Sequence, residues 1–228
     1  MSTGQFFATR FCAFRFATFL HKTTSQKIPV TWALRFRIMN QIVFAVSFTS
    51  IFAILVLSIF SMISKKFEFF PPPGKGAWQY KVFWLLFRIM FVGIVFLSVM
   101  DFGSLKYLNT TLRIFLGLPL LIAGFSAAFY LSVILGWQNA HGEQQGLVTT
   151  GWYRWSRNPI YVVSLLGIVG WGLLVDSLFV YILLALWGAL YLLAPFVEEQ
   201  WLEHRYGVDY VNYKSEVPRF VGFPKIKT

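Results

Sequence analysis

The sequence predicts an all-α polytopic membrane protein, and three observations support this prediction. Apolar residues make up 57% of the 228 residues, whereas charged residues make up only 13%. An average soluble chain has about 45–50% apolar and about 25% charged residues, so these charges cannot cover a soluble globule. Several uncharged stretches are long enough to cross a bilayer, where an open strand cannot satisfy its backbone. The single cysteine, Cys12, also excludes a disulfide scaffold and a thiolate zinc cluster.

The apolar stretches predict about five transmembrane helices. A helix needs about 20 apolar residues to cross about 30 Å of hydrocarbon. Four stretches meet this requirement: Ile42–Ile63, Val82–Met100, Ile114–Trp137 and Ser177–Val197. A fifth stretch, Ile160–Val175, is shorter, and a tight turn at Asp176 and Ser177 joins it to the last span. We interpret these last two helices as a tight hairpin, with a buried or re-entrant helix as the alternative for the shorter one.

Glycines recur along the later spans, at Gly117, Gly124, Gly167, Gly170, Gly172 and Gly188. Small residues allow membrane helices to approach closely, so we expect these positions to lie at helix contacts. The run Gly167-x-x-Gly170-x-Gly172 lies inside an apolar helix with no strand before it. This context indicates packing rather than a nucleotide-binding loop.

The basic residues predict a cytoplasmic C-terminal face, but the first 38 residues complicate the count. If the N-terminus faces outward, eleven lysines and arginines fall in the inner segments, as the positive-inside rule requires. Residues 1–38 add six basic residues to the outer side. Three explanations stay open: a transit-like segment that is removed, translation from Met39, or an amphipathic segment on the membrane surface. We therefore divide the chain into a basic leader (1–38), three spans (39–135) and a catalytic region (136–228).

Polar residues concentrate in two segments that the predicted hairpin brings together. Arg157, Asn158 and Tyr161 lie at the start of the short helix, and Glu198 and Glu199 follow its antiparallel partner. Packed helix axes are about 8–10 Å apart, so these side chains should meet at one membrane face. The free N–H groups of the first helical turn there favour a carboxylate or a phosphate.

The segment after the acidic pair has the spacing of an amphipathic helix. Trp201, Leu202, Tyr206, Tyr210 and Tyr213 recur at helical intervals, so this segment can lie on the membrane or fold over the site. The site thus offers a cation, adjacent anions, helix-terminal donors and aromatic faces. This set suits a zwitterionic ligand that carries an aromatic base and a sugar.

The combined motif resembles the integral-membrane methyltransferases, which include isoprenylcysteine carboxyl methyltransferase and phospholipid methyltransferases. Its elements are Gly151-x-Tyr153-Arg154-x-x-Arg157-Asn158-Pro159-x-Tyr161, Glu198-Glu199, Leu202, Tyr206-Gly207, Tyr210, Tyr213 and Val217-Pro218-Arg219. The resemblance covers residues 136–223. It implies an α-helical membrane enzyme that transfers a methyl group from S-adenosylmethionine to a lipophilic acceptor, such as an isoprenylcysteine carboxylate, another lipid or a thiol.

The resemblance also implies roles for particular residues. Arg157 and Glu199 would be catalytic, and Tyr210, Tyr213 and Arg219 would meet the acceptor or close the site. The donor would be held by Tyr153, Arg157, Asn158, Pro159, Tyr161, Glu198 and Glu199. A thiol or amine acceptor would need a base, for which Glu199 or His204 is nearest. No metal and no nucleic acid are implied; the bilayer and a lipophilic acceptor are the expected partners.

Two departures from the family bear on the acceptor and the chemistry. Many members have histidine where Asn158 stands, and asparagine cannot act as an acid or a base. The phospholipid branch has a Gly-x-Gly in the third span, which is absent here and argues against a phospholipid acceptor. Two other functions stay open: a membrane sterol or enone reductase that uses a nicotinamide cofactor, and a membrane transporter or scaffold without catalytic activity.

Overall fold

The computed structural model describes residues 30–64, 67–136 and 146–223, and in these ranges the protein is helical, without strands. The predicted leader, 1–38, lies mostly outside the described residues. The chain divides into two units, Met1–Gln41 and Ile42–Thr228. Of the first unit, residues 30–41 are described, and they form the beginning of a helix. The predicted all-α fold is therefore confirmed for the described part of the chain.

In the described ranges six α-helices follow one another, with a short 3₁₀ turn at Gly151–Arg154. A π-helical turn, Arg113–Gly117, lies within the third of them. Their bounds are α1 Val30–Ile63, α2 Trp78–Met100, α3 Thr110–Leu135, α4 Pro159–Val175, α5 Leu178–Tyr206 and α6 Val208–Glu216.

Four of these helices are long and apolar enough to cross a membrane: α1, α2, α3 and α5. Only 17% to 50% of the most apolar window of each is buried within the protein, which leaves apolar surface for lipid. This pattern is that of a multi-pass membrane protein and confirms four of the predicted spans. Helix α4, with 17 residues, is shorter, so its predicted crossing stays a prediction.

Glycines bring α3 and α4 into backbone contact. A Cβ atom on Gly124 would lie 2.3 Å from the backbone nitrogen of Gly167 and 2.8 Å from the carbonyl oxygen of Val163. A Cβ atom on Gly170 would lie 2.3 Å from the backbone nitrogen of Leu121. The expectation that glycines lie at close helix contacts is confirmed here. This packing holds α4, whose first turn carries the polar residues, against α3.

Substituting Gly124 with alanine should therefore destabilise the protein, whereas alanine at Gly188 should not. A Cβ atom on Gly188 would only touch Leu165, at an ordinary 3.5 Å. Forcing the two backbones apart should lower the free energy of unfolding by about 1–3 kcal/mol. Thermal unfolding in detergent would measure both variants. Equal stability of G124A and G188A would contradict the close contact.

Helix α5 extends further than the sequence analysis placed the last span. The predicted span ended at Val197, with Glu198 and Glu199 after it, but the helix includes both glutamates and ends at Tyr206. Pro195 lies within the helix and does not end it. The helix stops at Gly207, whose φ of +54° is unfavourable for residues with a side chain. The predicted C-terminal amphipathic helix is thus two helices, the end of α5 and α6.

Candidate functional site

A cavity of about 530 Å³ lies within the second unit, between α2, α3, α4, α5 and α6. The loop residues 70–72 and 146–148 also contribute to its wall. Its size is within the range of about 300–1,000 Å³ that is usual for small-molecule sites. The wall joins residues from both polar segments of the sequence to residues of the membrane-crossing helices. This cavity is the candidate functional site.

One part of the wall is aromatic and comes from the long apolar helices. Phe87 and Phe125 contact the ring of Trp187, with centroids 5.6 Å and 5.9 Å away. Tyr191 follows one turn later on α5, with its ring 5.6 Å from that of Trp187. Tyr191 in turn lies 5.1 Å from the ring of Tyr161, at the start of α4. The ring contacts therefore run without a break from the membrane-crossing helices to the polar part of the cavity.

Arg157 is a buried cation on the polar part of the wall. Its side chain is only 7% exposed, and its Nη2 atom lies 3.2 Å from Oε1 of Glu199. Its backbone N–H donates to the carbonyl of Pro218 at 3.0 Å, which positions it before α4 begins. Its Nε and Nη1 atoms have no hydrogen-bond partner among the described residues. Buried donors without partners are costly, so an anionic ligand would stabilise this side chain.

Glu199 lies at the centre of a group of cations rather than on the cavity wall. Arg219 binds it in a bidentate manner, with Nε 2.7 Å from Oε1 and Nη2 2.8 Å from Oε2. Arg157 and Lys214 also contact it, the latter at 3.8 Å. We call Arg157, Glu199, Lys214 and Arg219 the ion cluster. Glu199 is only 4% exposed, so its negative charge needs partners in place of water. The three cations of the ion cluster provide them.

Glu198, the neighbouring residue, does line the cavity. Its Oε1 atom accepts a hydrogen bond from the hydroxyl of Tyr161, which joins the first turn of α4 to α5. The described part of the chain provides no donor to its other oxygen. Of the two adjacent glutamates, the structure therefore directs Glu198 to the cavity and Glu199 to the ion cluster.

Asn158 ties the C-terminal segment to the start of α4. Its Nδ2 atom donates to the carbonyl of Arg219 at 3.0 Å, and its backbone N–H donates to Oγ of Ser156 at 3.0 Å. Asn158 also lines the cavity, together with Pro159, which occupies the first position of α4. Proline fits there because the first N–H of a helix has no intrahelical partner.

Substituting Asn158 with alanine should loosen this C-terminal segment. The loss of one partly buried hydrogen bond should lower the free energy of unfolding by about 1 kcal/mol. Trypsin should also cleave the variant faster after Arg219, whose backbone is then less constrained. Denaturant unfolding and limited proteolysis would measure these effects. The matched control is N212A, because Asn212 is exposed on α6; similar cleavage rates for the two variants would refute this role of Asn158.

Three buried tyrosines complete the polar part of the site. Tyr213 donates its hydroxyl proton to the carbonyl of Tyr153 at 2.7 Å. Burial, with the nearby charge of Glu199, raises the pKa of Tyr210 to about 12. Burial raises the pKa of Tyr153 too, and the charge of Glu198 adds to this effect. These hydroxyls are therefore protonated at neutral pH, and the tyrosines serve as aromatic walls and hydrogen-bond donors rather than as bases.

The structure places most of the predicted site residues on one cavity wall. These residues are Tyr153, Arg157, Asn158, Pro159, Tyr161, Glu198, Tyr210 and Tyr213. Glu199 and Arg219 are not among the residues that line it, and His204 is exposed on α5.

The sequence analysis missed the aromatic part, to which Phe83, Trp84, Phe87, Phe125 and Trp187 belong. In the sequence these aromatic residues are recognisable only as parts of apolar spans. A position in an apolar span does not show whether the side chain faces the cavity or the lipid.

The comparison with known families now bears on this geometry. Residues 112–209 match the phospholipid methyltransferase family. The match confirms the predicted resemblance to the integral-membrane methyltransferases, and it implies a membrane methyltransferase. It contains the whole of α4 and α5, and therefore Arg157 and both glutamates. Tyr210, Tyr213 and Arg219 follow the matched stretch.

No curated protein and no solved structure matches this chain. Among the described residues there is also no group of three His, Cys, Asp or Glu side chains that could hold a metal ion.

Proposed function

We propose that this protein transfers a methyl group from S-adenosylmethionine to a lipophilic acceptor at the membrane. One observation carries the proposal: a buried arginine with two unpaired donors lies on the wall of a cavity within the family-matched part of the chain. A buried guanidinium of this kind is suited to the carboxylate of an amino acid. S-adenosylmethionine has such a carboxylate, and it supplies an activated methyl group when bound.

The residues around the cavity fit the other parts of this donor. The ring faces of Tyr153, Tyr210 and Tyr213 can attract a sulfonium or ammonium group. Glu198 can accept a hydrogen bond from a hydroxyl or an ammonium group, or it can take a proton. Arg157 would then orient the donor, while the surrounding rings exclude water from the reacting groups.

In this proposal Glu199 and Arg219 are positioning residues. The sequence analysis assigned Glu199 a catalytic role and Arg219 a place near the acceptor. Because the ion cluster occupies both side chains, we propose instead that Glu199 fixes the guanidinium of Arg157 from behind. Arg219 then neutralises Glu199, and it lies over the ring of Phe196, 4.0 Å from its centroid.

We propose that the acceptor reaches the cavity from the bilayer, because the aromatic wall belongs to helices that are apolar enough to cross it. In this arrangement α4 and α5 form a hairpin that presents the polar residues at one membrane face. The eleven basic residues counted for the inner segments, against Lys106 and Arg113 between the second and third spans, support a cytoplasmic position for this face.

Calorimetric titration of the full chain in detergent with S-adenosylmethionine tests the proposal. We expect saturable binding that a nicotinamide dinucleotide does not displace. Labelled methyl should then pass to a lipophilic acceptor in bilayer nanodiscs. Displacement by the dinucleotide, or binding of the dinucleotide alone, would favour the membrane reductase. Absence of any binding to the folded protein would contradict the methyltransferase proposal.

A further inference from the structure

The cavity wall has very few charged side chains, although the proposed donor, S-adenosylmethionine, is itself charged. Arg157 and Glu198 are the two charged side chains among its described residues. The other cations of the site, Arg219 and Lys214, contact Glu199 in the ion cluster. If Arg157 binds the carboxylate of the donor, no described cation is left on the wall for an anionic acceptor.

An anionic acceptor would therefore be disfavoured at the aromatic part of the cavity. Phe83, Trp84, Phe87, Phe125 and Trp187 provide a surface that hydrocarbon or an aromatic ring can cover. A carboxylate or phosphate without a partner would lose its hydration there and gain no charge-assisted hydrogen bond. An uncharged lipophile pays no such cost.

The continuous ring contacts lead from this aromatic part to Glu198. Trp187 contacts Tyr191, Tyr191 contacts Tyr161, and the hydroxyl of Tyr161 donates to Oε1 of Glu198. This hydrogen bond holds the carboxylate in place, and no described residue donates to its Oε2 atom. The carboxylate thus lies where the reactive end of a molecule on the aromatic wall would arrive.

We propose that the acceptor is an uncharged lipophile with a hydroxyl or thiol group, and that Glu198 is its general base. This inference rests on the proposed methyltransferase function. The proton of the acceptor O–H or S–H passes to Glu198, while a lone pair of the oxygen or sulfur forms the new bond to the methyl carbon. The carbon–sulfur bond of the donor breaks, and its electron pair stays on the sulfur, which becomes a neutral thioether. Glu198 then releases the proton to water between turnovers.

The test offers four lipophilic probes to the full chain with labelled S-adenosylmethionine: 1-dodecanethiol, 4-dodecylphenol, dodecanoate and phosphatidylethanolamine vesicles. We expect transfer to the thiol or the phenol, and at most about one-hundredth of that rate to the other two. Transfer to dodecanoate or phosphatidylethanolamine alone would overturn the inference. Donor binding without transfer to any probe would overturn it as well, but would leave the proposed function standing. Absence of donor binding would overturn both.

The variant E198Q distinguishes a role of Glu198 as a general base from a role in binding the donor. Because general base catalysis contributes about 10²–10⁴-fold, we expect at least about a 100-fold loss of transfer to dodecanethiol. Calorimetric affinity for S-adenosylmethionine should change less than about fivefold, since glutamine still accepts and donates hydrogen bonds. An alkylated arenethiol also enters the cavity uncharged, but it loses its proton much more readily than an alkyl thiol, so its methylation depends less on the base and should fall less than about tenfold.

Two outcomes would overturn the role of Glu198. Loss of donor binding in E198Q would make Glu198 a donor ligand rather than a base. Equal losses with the alkyl thiol and the more acidic arenethiol would exclude proton transfer to this residue. The matched control is E203Q, because Glu203 lies on the same helix, is partly exposed and does not line the cavity; its transfer rate should stay within about twofold of the wild type, as surface substitutions have small effects.

Discussion

Substitution of Arg157 with methionine should weaken binding of S-adenosylmethionine by about 100-fold, or about 2.8 kcal/mol. Methionine fills similar space but removes both unpaired donors that Arg157 directs from its buried position. The fold should survive, because Glu199 keeps its bidentate contact with Arg219. Calorimetric titration of the wild type and the variant in the same detergent would measure the difference.

Two further variants show whether the geometry of Arg157 matters or only its charge. R157K keeps the charge but loses the planar fork, so we expect an affinity about tenfold below the wild type. R154M is the matched control, because Arg154 belongs to the same segment but is exposed to solvent. It should bind the donor as the wild type does. An R157M variant that binds the donor normally would overturn the proposed site and leave the match of residues 112–209 to the methyltransferase family unaffected.

Substitution of Glu199 with glutamine should destabilise the protein strongly. The change removes the anion that Arg157, Lys214 and Arg219 share. Breaking a fully buried ion pair costs about 3–5 kcal/mol. Since Arg219 and Lys214 are 31% and 37% exposed, we expect a smaller loss of about 2–3 kcal/mol in the free energy of unfolding. Denaturant unfolding in detergent would measure it.

The same variant distinguishes a positioning role from direct donor binding. If Glu199 only fixes Arg157, E199Q should lower donor affinity about tenfold, and the double variant E199Q/R157M should bind no worse than R157M. E203Q is the stability control, because its partner Lys214 is partly exposed and such pairs contribute about 0.2–1 kcal/mol. A stable E199Q protein that loses donor binding as fully as R157M would restore the catalytic role that the sequence analysis assigned to Glu199.

Much of the membrane architecture could be predicted from composition and length. Long apolar stretches in a chain of low charge require helices that cross lipid, because no other open structure satisfies its backbone there. The four longest stretches overlap α1, α2, α3 and α5 over nearly their whole length. The end of α5 was predicted less well. The apolar stretch ends at Val197, but the acidic residues that follow are good helix formers, and the helix continues until Gly207.

The residues that form the polar site could also be predicted from the sequence. Helices α4 and α5 are joined by only two residues, so the start of α4 must lie near the later part of α5. The hydroxyl of Tyr161 on α4 does donate a hydrogen bond to Glu198 on α5. The partners within the site could not be predicted. Asn158 donates to the carbonyl of Arg219, and the backbone N–H of Arg157 donates to the carbonyl of Pro218, because the C-terminal segment passes beside the start of α4.

The sequence by itself determined that this is a helical membrane protein and that Arg157 and an acidic pair share one site. The physical reason is that the hydrocarbon thickness of the bilayer sets the length of a spanning helix, and the length of each apolar stretch is a property of the local sequence alone. Only the tertiary structure decided which glutamate faces the cavity. Adjacent residues on a helix point about 100° apart, so the rotation of α5 determines whether Glu198 or Glu199 does so. Contacts of α5 with α4 and α6, such as the hydrogen bond from Tyr161 to Glu198, set that rotation.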